Sequence, residues 1–261
     1  MAGAALVTGA GKRLGRAMAL FLGSRGFDVV VHYNGSAVDA ENVVAEIRTM
    51  GRQANSIQAD LTDEADMQRL VPDAARALEQ PLTVLINSAS IFEYDNIETA
   101  TRDSWDRHLE SNLRAPFVLT QAFAAQAPAA DVGGEWNEPT AKALIVNMID
   151  QRVRKLTPEF MSYTIAKMGL WAMTRTTAQA LAPHVRVNAI GPGPTVQGVR
   201  QSREHFAGQR RNTILQRGAD AEGVTRALGY FLESPEVTGQ LICVDGGQHL
   251  AWQTPDIQGV E

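Results

Sequence analysis

Residues 8–15 read Thr-Gly-Ala-Gly-Lys-Arg-Leu-Gly, and this stretch decides the fold. The apolar run Ala4–Val7 before it predicts a strand, and Leu14–Ser24 after it predicts a helix. Glycines at such a junction allow a tight turn and a close approach of the backbone to a pyrophosphate. The first N–H groups of the helix, with its positive dipole, can then bind the anion. We therefore predict a phosphate-binding turn at the start of a βαβ unit.

The rest of the chain continues this alternation of short β-rich runs and helical stretches. Strands are predicted at Asp28–His32, Ala54–Gln58, Leu82–Ile86, Ala143–Met148, Arg186–Ala189 and Leu241–Val244. Helices are predicted at Val38–Met50, Glu64–Leu78, Arg102–Gln126, Pro158–Leu181 and Ala221–Leu232, with Pro116 kinking the third of these or marking a junction. Apolar strands separated by amphipathic helices indicate a doubly wound parallel sheet with helices on both faces. We expect one α/β domain over residues 1–261.

Two stretches interrupt the alternation and are predicted to be loops. Gln126–Ala141 contains two prolines and two glycines, and Gly191–Gln209 is rich in glycine, proline and polar residues. In open α/β sheets, ligands bind beyond the carboxyl ends of the strands. The second stretch, about residues 191–210, is therefore predicted to be a substrate loop that closes over the site.

Composition narrows the class of function. Asp plus Glu is 29 against 24 for Lys plus Arg, so the net charge is −5, which argues against nucleic-acid and membrane-surface partners because both present phosphates. The lone cysteine, Cys243, forms no internal disulfide and suits a reducing compartment. The N-terminus lacks the features of a signal peptide, and the five histidines lack metal-ligand spacing. We expect a cytoplasmic protein with a small-molecule substrate and no metal.

The end of the second predicted strand bears on the cofactor. Residues 32–36 read His-Tyr-Asn-Gly-Ser and contain no carboxylate. An acidic residue here would bind the ribose 2′-OH of NAD and would repel a 2′-phosphate. Its absence favours NADPH, with Ser36 as a hydrogen-bond donor and Lys12 and Arg13 as cations. Ser36 could equally be a helix N-cap, and Asp60 or Thr62 could cap the following helix.

Tyr163 and Lys167 lie four residues apart in a predicted helix and so share a face. A free tyrosine has a pKa of about 10. A nearby ammonium favours the phenolate, which predicts a pKa for Tyr163 closer to working pH. The phenol could then donate a proton to a substrate while a nicotinamide cofactor delivers hydride. Following a glycine-rich turn, this pair predicts a reductase.

These motifs, in this order, resemble the short-chain dehydrogenase/reductase family over nearly the whole chain. Further matches are Asn87-Ser88-Ala89, Asn112, Arg186-Val187-Asn188 with Gly191-Pro192-Gly193, and Asp245-Gly246-Gly247. The resemblance implies a Rossmann-type fold. It also implies that Asn112 supports a proton relay, that Asp60 lies beside the adenine, and that the segment at 191–193 lines the nicotinamide.

Two departures point to a subgroup. Arg13 replaces the usual middle glycine, and Asp150 stands thirteen residues before the tyrosine, where the family usually has serine. The chain is similar in this to pteridine reductases and dihydromonapterin reductases. The elements that carry the similarity are Lys12-Arg13-Leu14-Gly15, His32-Tyr33 with Ser36, Asn87 with Ala89-Ser90 and Phe92, and Asp150, Tyr163 and Lys167. Ser88 and Asn34-Gly35 depart from the subgroup, the latter where a basic residue often helps to bind the 2′-phosphate.

The resemblance implies roles for these residues. Asp150, Tyr163, Lys167 and Asn112 would be catalytic, and a flat pterin would lie between the nicotinamide and Phe92, with polar contacts from Ser90, Arg13, Asp150 and Tyr163. Hydride would add to a C=N carbon. The cofactor-binding residues would be Gly9, Lys12, Arg13, Leu14, Gly15, His32, Tyr33, Asn34, Ser36, Asp60, Leu61, Asn87, Ala89, Lys167, Pro192, Gly193 and Thr195.

Two other functions stay open. One is a carbonyl reductase of the same family that acts on a 3-oxoacyl or other ketone, since loops change substrate choice easily in this fold. The other is a non-catalytic NADP(H)-binding protein. By family resemblance we expect a homotetramer or homodimer, in which Trp252 could line a pocket shared with a neighbouring subunit.

Overall fold

The computed structural model describes residues 3–198 and 201–252. These residues form nine strands: β1 (Ala4–Val7), β2 (Asp28–Tyr33), β3 (Ala54–Gln58), β4 (Leu82–Asn87), β5 (Asp131–Gly133), β6 (Glu138–Thr140), β7 (Ala143–Met148), β8 (Val185–Pro192) and β9 (Leu241–Val244). Seven of them form a parallel sheet in the order β3-β2-β1-β4-β7-β8-β9. The predicted doubly wound parallel sheet is confirmed.

Helices cover both faces of the sheet. They are α1 (Arg13–Ser24), α2 (Ala37–Thr49), α3 (Glu64–Ala77), α4 (Arg102–Leu109), α5 (Ala115–Gln126), α6 (Met161–Leu181), α7 (Arg203–Arg211) and α8 (Ala221–Glu233). Successive strand side chains point to opposite faces, so Val7 packs in one buried cluster with residues of α1, α2 and α8. Leu6 packs in a second cluster with residues of α3, α5 and α6. The apolar strand runs are therefore buried from both sides, as a parallel sheet requires.

The strand order reverses direction between β1 and β4. Such a switch point leaves a crevice at the carboxyl ends of the two strands, where ligands bind in this architecture. The Thr8 hydroxyl accepts hydrogen bonds at 2.9 Å from the N–H groups of both Ser88 and Ala89, and so holds the two strand ends together. The fold thus places the glycine-rich turn beside the segment that follows β4.

The long helix predicted at Arg102–Gln126 is divided into three parts. A π-helical segment, Glu110–Arg114, separates α4 from α5. Pro116 is the second residue of α5 and has no N–H to donate to the preceding turn. The change of helical register just before it accommodates the missing donor, so the predicted junction is confirmed. Single π turns of this kind occur often at functional sites.

Two predictions of irregular structure were wrong. Gln126–Ala141 contains β5 and β6, which pair antiparallel with Val132 opposite Pro139. These strands have three residues each, too few for an alternating pattern to stand out from the turn residues around them. In the predicted loop Gly191–Gln209, β8 continues to Pro192 and α7 begins at Arg203, capped by the Ser202 side chain. Residues 199 and 200 of this stretch lie outside the described residues.

The described part of the chain contains neither a membrane-spanning helix nor a cluster of metal-binding side chains. Over residues 3–198 and 201–252, no helix combines the length and apolar character needed to cross a membrane. Within the same ranges, no cluster of three or more His, Cys, Asp or Glu side chains could hold a metal ion. Cys243 lies in β9, as predicted, and burial raises the pKa of its thiol to about 11, so the group stays protonated at neutral pH.

Candidate active site

The glycine-rich turn has the backbone shape that its residues allow. Gly9 has a φ of +63°, and a Cβ there would lie 2.9 Å from the Ala89 Cα. A Cβ on Gly15 would lie 2.2 Å from the Gly9 carbonyl oxygen, closer than any side chain tolerates. Both glycines are therefore fixed by close packing of the turn against its own backbone and against the segment after β4.

Arg13 occupies the position where the family usually has glycine, and its φ is +53°. A side chain in this left-handed region costs about 1–3 kcal/mol unless the surroundings enforce it. Here the guanidinium donates hydrogen bonds to the carbonyl oxygens of Val196, at 2.9 Å, and Gln197, at 2.7 Å. Arg13 thus ties the turn to the predicted substrate loop. Its predicted contacts with cofactor and substrate remain predictions.

The N-terminus of α1 is suited to an anion. Lys12 at its N-cap makes no side-chain cap, and the first turn carries no acidic residue. The Ser36 hydroxyl does not cap α2 and instead lies toward the turn, 2.9 Å from where a Cβ of Gly11 would be. Lys12 forms an ion pair with Asp39 at 3.0 Å. Asp39, which sequence analysis did not single out, therefore competes with any phosphate for the Lys12 ammonium.

His32 supports the glycine-rich turn through a hydrogen bond to its backbone. Its Nδ1 accepts the Gly9 N–H at 3.0 Å, and its Nε2 donates to the Ala59 carbonyl oxygen at 3.1 Å. This pair of bonds requires the neutral imidazole, since the charged ring has no acceptor nitrogen. Burial lowers the pKa of His32 to about 4, which agrees with that requirement. The predicted cofactor residue is 2% exposed, so it positions the turn that would hold the cofactor.

Around Asp60, which was predicted to lie beside the adenine, the predicted capping roles were wrong. Asp63 caps α3 by accepting the Asp66 N–H, because it stands at the residue just before the helix. Asp60 instead accepts hydrogen bonds from the backbone N–H and the hydroxyl of Thr62, and these bonds lower the pKa of its carboxyl. The neighbouring candidates differ in exposure: Leu61 is buried, Tyr33 is half-buried and Asn34 is exposed.

Asn87 offers an unused acceptor at the floor of the crevice. Its Nδ2 donates to Asn147 Oδ1 at 2.8 Å, but its own Oδ1 is buried and has no hydrogen-bond partner among the described residues. Leaving a buried acceptor unpaired costs about 1–3 kcal/mol. In the segment from Pro192 to Thr195, at the end of β8, Gly193 packs so close to Asp245 that a Cβ would lie 2.6 Å from that side chain. A ligand N–H or O–H would satisfy Asn87.

Asp150, Tyr163 and Lys167 come together as the spacing predicted. The Tyr163 hydroxyl lies 3.1 Å from Asp150 Oδ2 and donates to it. Lys167, one turn further along α6, places its Nζ 5.6 Å from the Tyr163 ring centroid and donates to the Met148 carbonyl oxygen at 2.9 Å. The end of β7 supplies Asp150, and the first two turns of α6 supply the other two.

The electrostatics of this group differ from the prediction. Burial raises the pKa of Tyr163 well above 10, and the Asp150 carboxyl raises it further, so the expected lowering by Lys167 was wrong. Burial also raises the pKa of Asp150 and lowers that of Lys167 to about 8, while Asp150 works against the shift of Lys167. A desolvated site disfavours charge on each group. Tyr163 is therefore held as a phenol, ready to act as an acid.

The Asn112 side chain does not contact Tyr163 or Lys167 by hydrogen bonds. It lies in the π-helical segment, where its Oδ1 accepts the Ile91 N–H at 2.9 Å and its Nδ2 donates to the Ile91 carbonyl oxygen at 2.8 Å. This reciprocal pair fixes the backbone between Ser90 and Phe92, both of which were predicted to touch the substrate. The side chain is thus a positioning group, and the predicted support of a proton relay remains a prediction.

An aromatic wall, formed by Phe92, Tyr94 and Phe160, borders Tyr163. The Phe92 ring meets Tyr163 edge to face at 4.7 Å, and it stacks on Phe160 at 4.4 Å with only 10° between the planes. Tyr94 contacts Phe160 edge to face at 5.3 Å. The ring that was predicted to stack on a pterin therefore already stacks on a protein ring. Ser90 is exposed, and its hydroxyl donates to the Ile91 carbonyl oxygen.

Sequence analysis missed how the catalytic helix begins. The helix predicted from Pro158 starts at Met161, because Phe160 has a φ of +54°, outside the helical region. Asp95, from the segment after β4, takes the place of a local cap: it is buried and accepts the Ser162 N–H at 3.2 Å and the Ser162 hydroxyl. Because Asp95 is 67 residues away from Ser162 in the sequence, no local pattern could have identified it.

Trp252, which was predicted to line a pocket shared between subunits, is 63% exposed in the single chain. That exposure leaves the side chain available to a neighbouring subunit without testing the idea. The polar tail after it, residues 253–261, lies outside the described residues.

Comparison with known proteins places the chain among oxidoreductases. It is 42% identical to FolM alternative dihydrofolate reductase 1 of Brucella canis, solved in complex with NADP; the match covers 97% of this chain and 96% of that one, with a TM-score of 0.89. Pteridine reductase 1 of Leishmania tarentolae is 33% identical, over 94% of this chain and 96% of the relative. The 3-oxoacyl-(acyl-carrier-protein) reductase FabG of Staphylococcus aureus is 28% identical, over 96% and 99%.

The family model for short chain dehydrogenases matches residues 3–207, most of the chain. That range contains the glycine-rich turn, Asp150, Tyr163 and Lys167. The chain belongs to the short-chain dehydrogenase/reductase family.

Proposed function

We propose that this chain is an NADPH-dependent reductase that adds hydride to the C=N bond of a pterin-type substrate, converting a dihydropterin to a tetrahydropterin. The observation that carries the proposal is the 3.1 Å contact between the Tyr163 hydroxyl and Asp150, which stands where the family usually has serine. The similarity to proteins named dihydrofolate reductase and pteridine reductase supports this choice of substrate.

The residues of the crevice fit NADPH. The uncapped N-terminus of α1 offers N–H donors for the pyrophosphate. Lys12 and Ser36 would hold the 2′-phosphate, and β2 ends without a carboxylate to repel it. The buried Asn87 Oδ1 would accept a hydrogen bond from the cofactor. The Brucella canis relative was solved with NADP, which supports the same cofactor here.

Bound NADPH would supply the hydride for the carbon of the C=N bond. The ring nitrogen then needs a proton, and Tyr163 is held as the acid that can donate it. As Tyr163 gives up its proton, a protonated Asp150 returns one across their 3.1 Å contact, leaving a phenol and a carboxylate. Solvent restores the Asp150 proton before the next turnover. The Lys167 ammonium, 5.6 Å from the ring centroid, stabilises negative charge on the phenol oxygen during transfer.

A carbonyl reductase is the second candidate, favoured by the 28% identity to FabG over 96% of this chain. Asp150 argues against it. A serine hydroxyl can donate a hydrogen bond to a ketone oxygen, whereas a protonated Asp150 has a single proton to donate, and the proposed relay directs that proton to Tyr163. Both Asp150 oxygens already accept hydrogen bonds, one from the Arg152 N–H at 2.8 Å and one from Tyr163. A non-catalytic NADP(H)-binding protein would have no use for the buried tyrosine and lysine.

NADPH oxidation with a panel of 7,8-dihydropterins and ketones tests the proposal. We expect turnover of the dihydropterins and tighter binding of NADPH than of NADH. Preferred turnover of ketones would favour the carbonyl reductase. Cofactor binding without turnover of any member would favour the non-catalytic protein.

We also propose a homodimer or homotetramer, as the family resemblance suggests. A surface cavity of about 440 Å³ lies along the π-helical segment between α4 and α5, and its lining includes the apolar side chains of Leu109, Leu113, Phe117 and Met173. A second copy of the chain would remove the exposed Phe117 side chain from water. Light scattering in solution measures the assembly directly, and a monomeric mass at micromolar concentration would contradict the proposal.

A further inference from the structure

Arg152 lies beside the catalytic group of Asp150, Tyr163 and Lys167, and the proposed reaction does not use it. It follows Asp150 by two residues, and its N–H donates to Asp150 Oδ1 at 2.8 Å. That bond anchors the main chain of Arg152 in the site. Its side chain extends to the aromatic wall, where the guanidinium carbon lies 5.1 Å from the Phe160 ring centroid.

The contacts run in a series from the proton donor outward. Tyr163 meets Phe92 edge to face, Phe92 stacks on Phe160, and the Arg152 guanidinium lies over Phe160. A flat ring placed for reduction beside Tyr163 would have this wall along one side. A substituent that extended from that ring along the wall would reach the guanidinium.

The guanidinium is poorly satisfied by the protein. It carries five N–H donors. One, at Nη1, is donated to the Thr157 hydroxyl, whereas the Nε is buried and has no hydrogen-bond partner among the described residues. Over those residues, no carboxylate forms an ion pair with Arg152. A buried donor without a partner in a native structure requires an explanation, and a ligand acceptor supplies one.

We propose that Arg152 is a specificity-determining residue that binds a carboxylate on the substituent of the substrate, and so favours a flat ring with an acidic tail over one with a neutral tail. The planar fork of arginine matches a carboxylate with two parallel hydrogen bonds. The inference rests on the proposed function, since it concerns the substrate of the same site. It adds a second point of recognition, at the far end of the aromatic wall from Tyr163.

The test compares two substrates that share the reducible ring and differ in the tail. Dihydrofolate has an acidic tail, and dihydrobiopterin has a neutral one. In Arg152→Gln we expect the KM for dihydrofolate to rise about tenfold, while kcat and the KM for dihydrobiopterin change less than threefold. Arg152→Lys keeps the charge and loses the fork, so its dihydrofolate KM should rise about threefold. Arg154→Gln, which removes an exposed charge from the same turn, is the matched control and should leave both KM values unchanged.

Binding is measured separately, by fluorescence titration of folate and of biopterin into each variant in the presence of NADP⁺. Weaker binding of folate alone in Arg152→Gln supports the proposal. Equal losses of affinity for both ligands, or no loss for either, overturn the proposal. If the wild type binds both ligands but reduces neither dihydro form, the proposed function fails while the titration still decides the role of Arg152. If the wild type binds neither ligand, both proposals fail.

Discussion

The phosphate-binding turn and the catalytic group lie at the ends of β1 and β7, with β4 between them. The turn relies on backbone groups, whereas the catalytic group relies on side chains. The turn is built mainly from backbone groups: the first N–H groups of α1 are left uncapped by side chains, and Gly9 and Gly15 are fixed by close packing. The catalytic group consists of three side chains, the half-buried Asp150 and the buried Tyr163 and Lys167, and desolvation shifts the pKa of each.

This difference predicts how each region responds to substitution. The turn tolerates an arginine at a glycine position, because the backbone conformation is kept and the Arg13 side chain finds partners in the substrate loop. The catalytic group has no such freedom, since each side chain carries a proton or a charge that its neighbours depend on. Changes in the catalytic group should therefore lower kcat, and changes around the turn should alter cofactor affinity or stability.

The largest effect is expected for Tyr163→Phe. It removes the proton donor and keeps the ring and its contacts with Phe92. General acid catalysis contributes about 10²–10⁴-fold, so we expect kcat on a dihydropterin to fall about a thousandfold. NADPH affinity, measured by fluorescence titration, should stay within twofold because the turn is untouched. Equal losses in kcat and in NADPH affinity would contradict the separation of the two regions.

The next effect concerns the turn and its support by His32. The pKa of His32 is about 4 in the folded chain, against about 6.5 in the unfolded chain, so folding favours the neutral ring. Its contribution is fully present above pH 6.5 and is lost as the pH falls toward 4, because the unfolded chain takes up the proton first. The loss amounts to about 3 kcal/mol.

Urea unfolding between pH 4 and pH 7 measures this contribution. His32→Gln is the control, since its amide can accept from Gly9 and donate to Ala59 without titrating. The free energy of unfolding should fall more steeply toward low pH in the wild type than in the variant. Parallel curves for the two proteins would show that His32 does not support the turn in its neutral form.

A smaller loss of kcat is expected for Asp150→Ala in the catalytic group. It removes the group that returns a proton to Tyr163, and we expect kcat on a dihydropterin to fall about a hundredfold. The loss should be smaller than for Tyr163→Phe, since the phenol can still donate once and recover its proton from water. Turnover near the wild-type rate would mean that Asp150 only shapes the turn it begins, where its side chain also accepts the Arg152 N–H.

The smallest effect is expected for Asp39→Asn near the turn. Asp39 pairs with Lys12 at 3.0 Å, and both side chains are about half exposed. Exposed ion pairs contribute about 0.2–1 kcal/mol, so release of Lys12 should tighten NADPH binding about threefold. NADH has no 2′-phosphate and should bind unchanged, which makes it the internal control. A parallel gain for both cofactors would place the effect elsewhere.

The two regions also differ in how far the sequence predicted them. The order of strands and helices, the turn and the Tyr163–Lys167 pair follow from local patterns, because periodicity and spacing are properties of neighbouring residues. Asp150 was identified only by the family spacing, and its contact with Tyr163 was then confirmed. The exact start of α6 was not predictable, since it depends on Asp95 from a distant segment.

Electrostatic predictions failed for a related reason. From the sequence, Lys167 was the only influence considered on the Tyr163 pKa, and it was expected to lower that value. The structure shows that burial and Asp150 dominate and raise it. Burial is a property of the packed fold, so residue spacing cannot supply it. The hydrogen bond between His32 and Gly9 likewise depends on the packed fold, and the predicted cofactor contact of His32 stays a prediction.

The assignment of Asp150 to pterin reduction is tested most directly by a specificity ratio, kcat/KM for a dihydropterin divided by kcat/KM for a small ketone. The ratio is measured in the wild type and in Asp150→Ser. Serine restores the usual donor to a ketone oxygen and removes the carboxyl that returns a proton to Tyr163. We predict a ratio well above one for the wild type, and a ratio about a hundredfold lower for the variant, with ketone activity kept or gained. A wild type that prefers the ketone, or a ratio unchanged by the substitution, would contradict the assignment of Asp150 to pterin reduction.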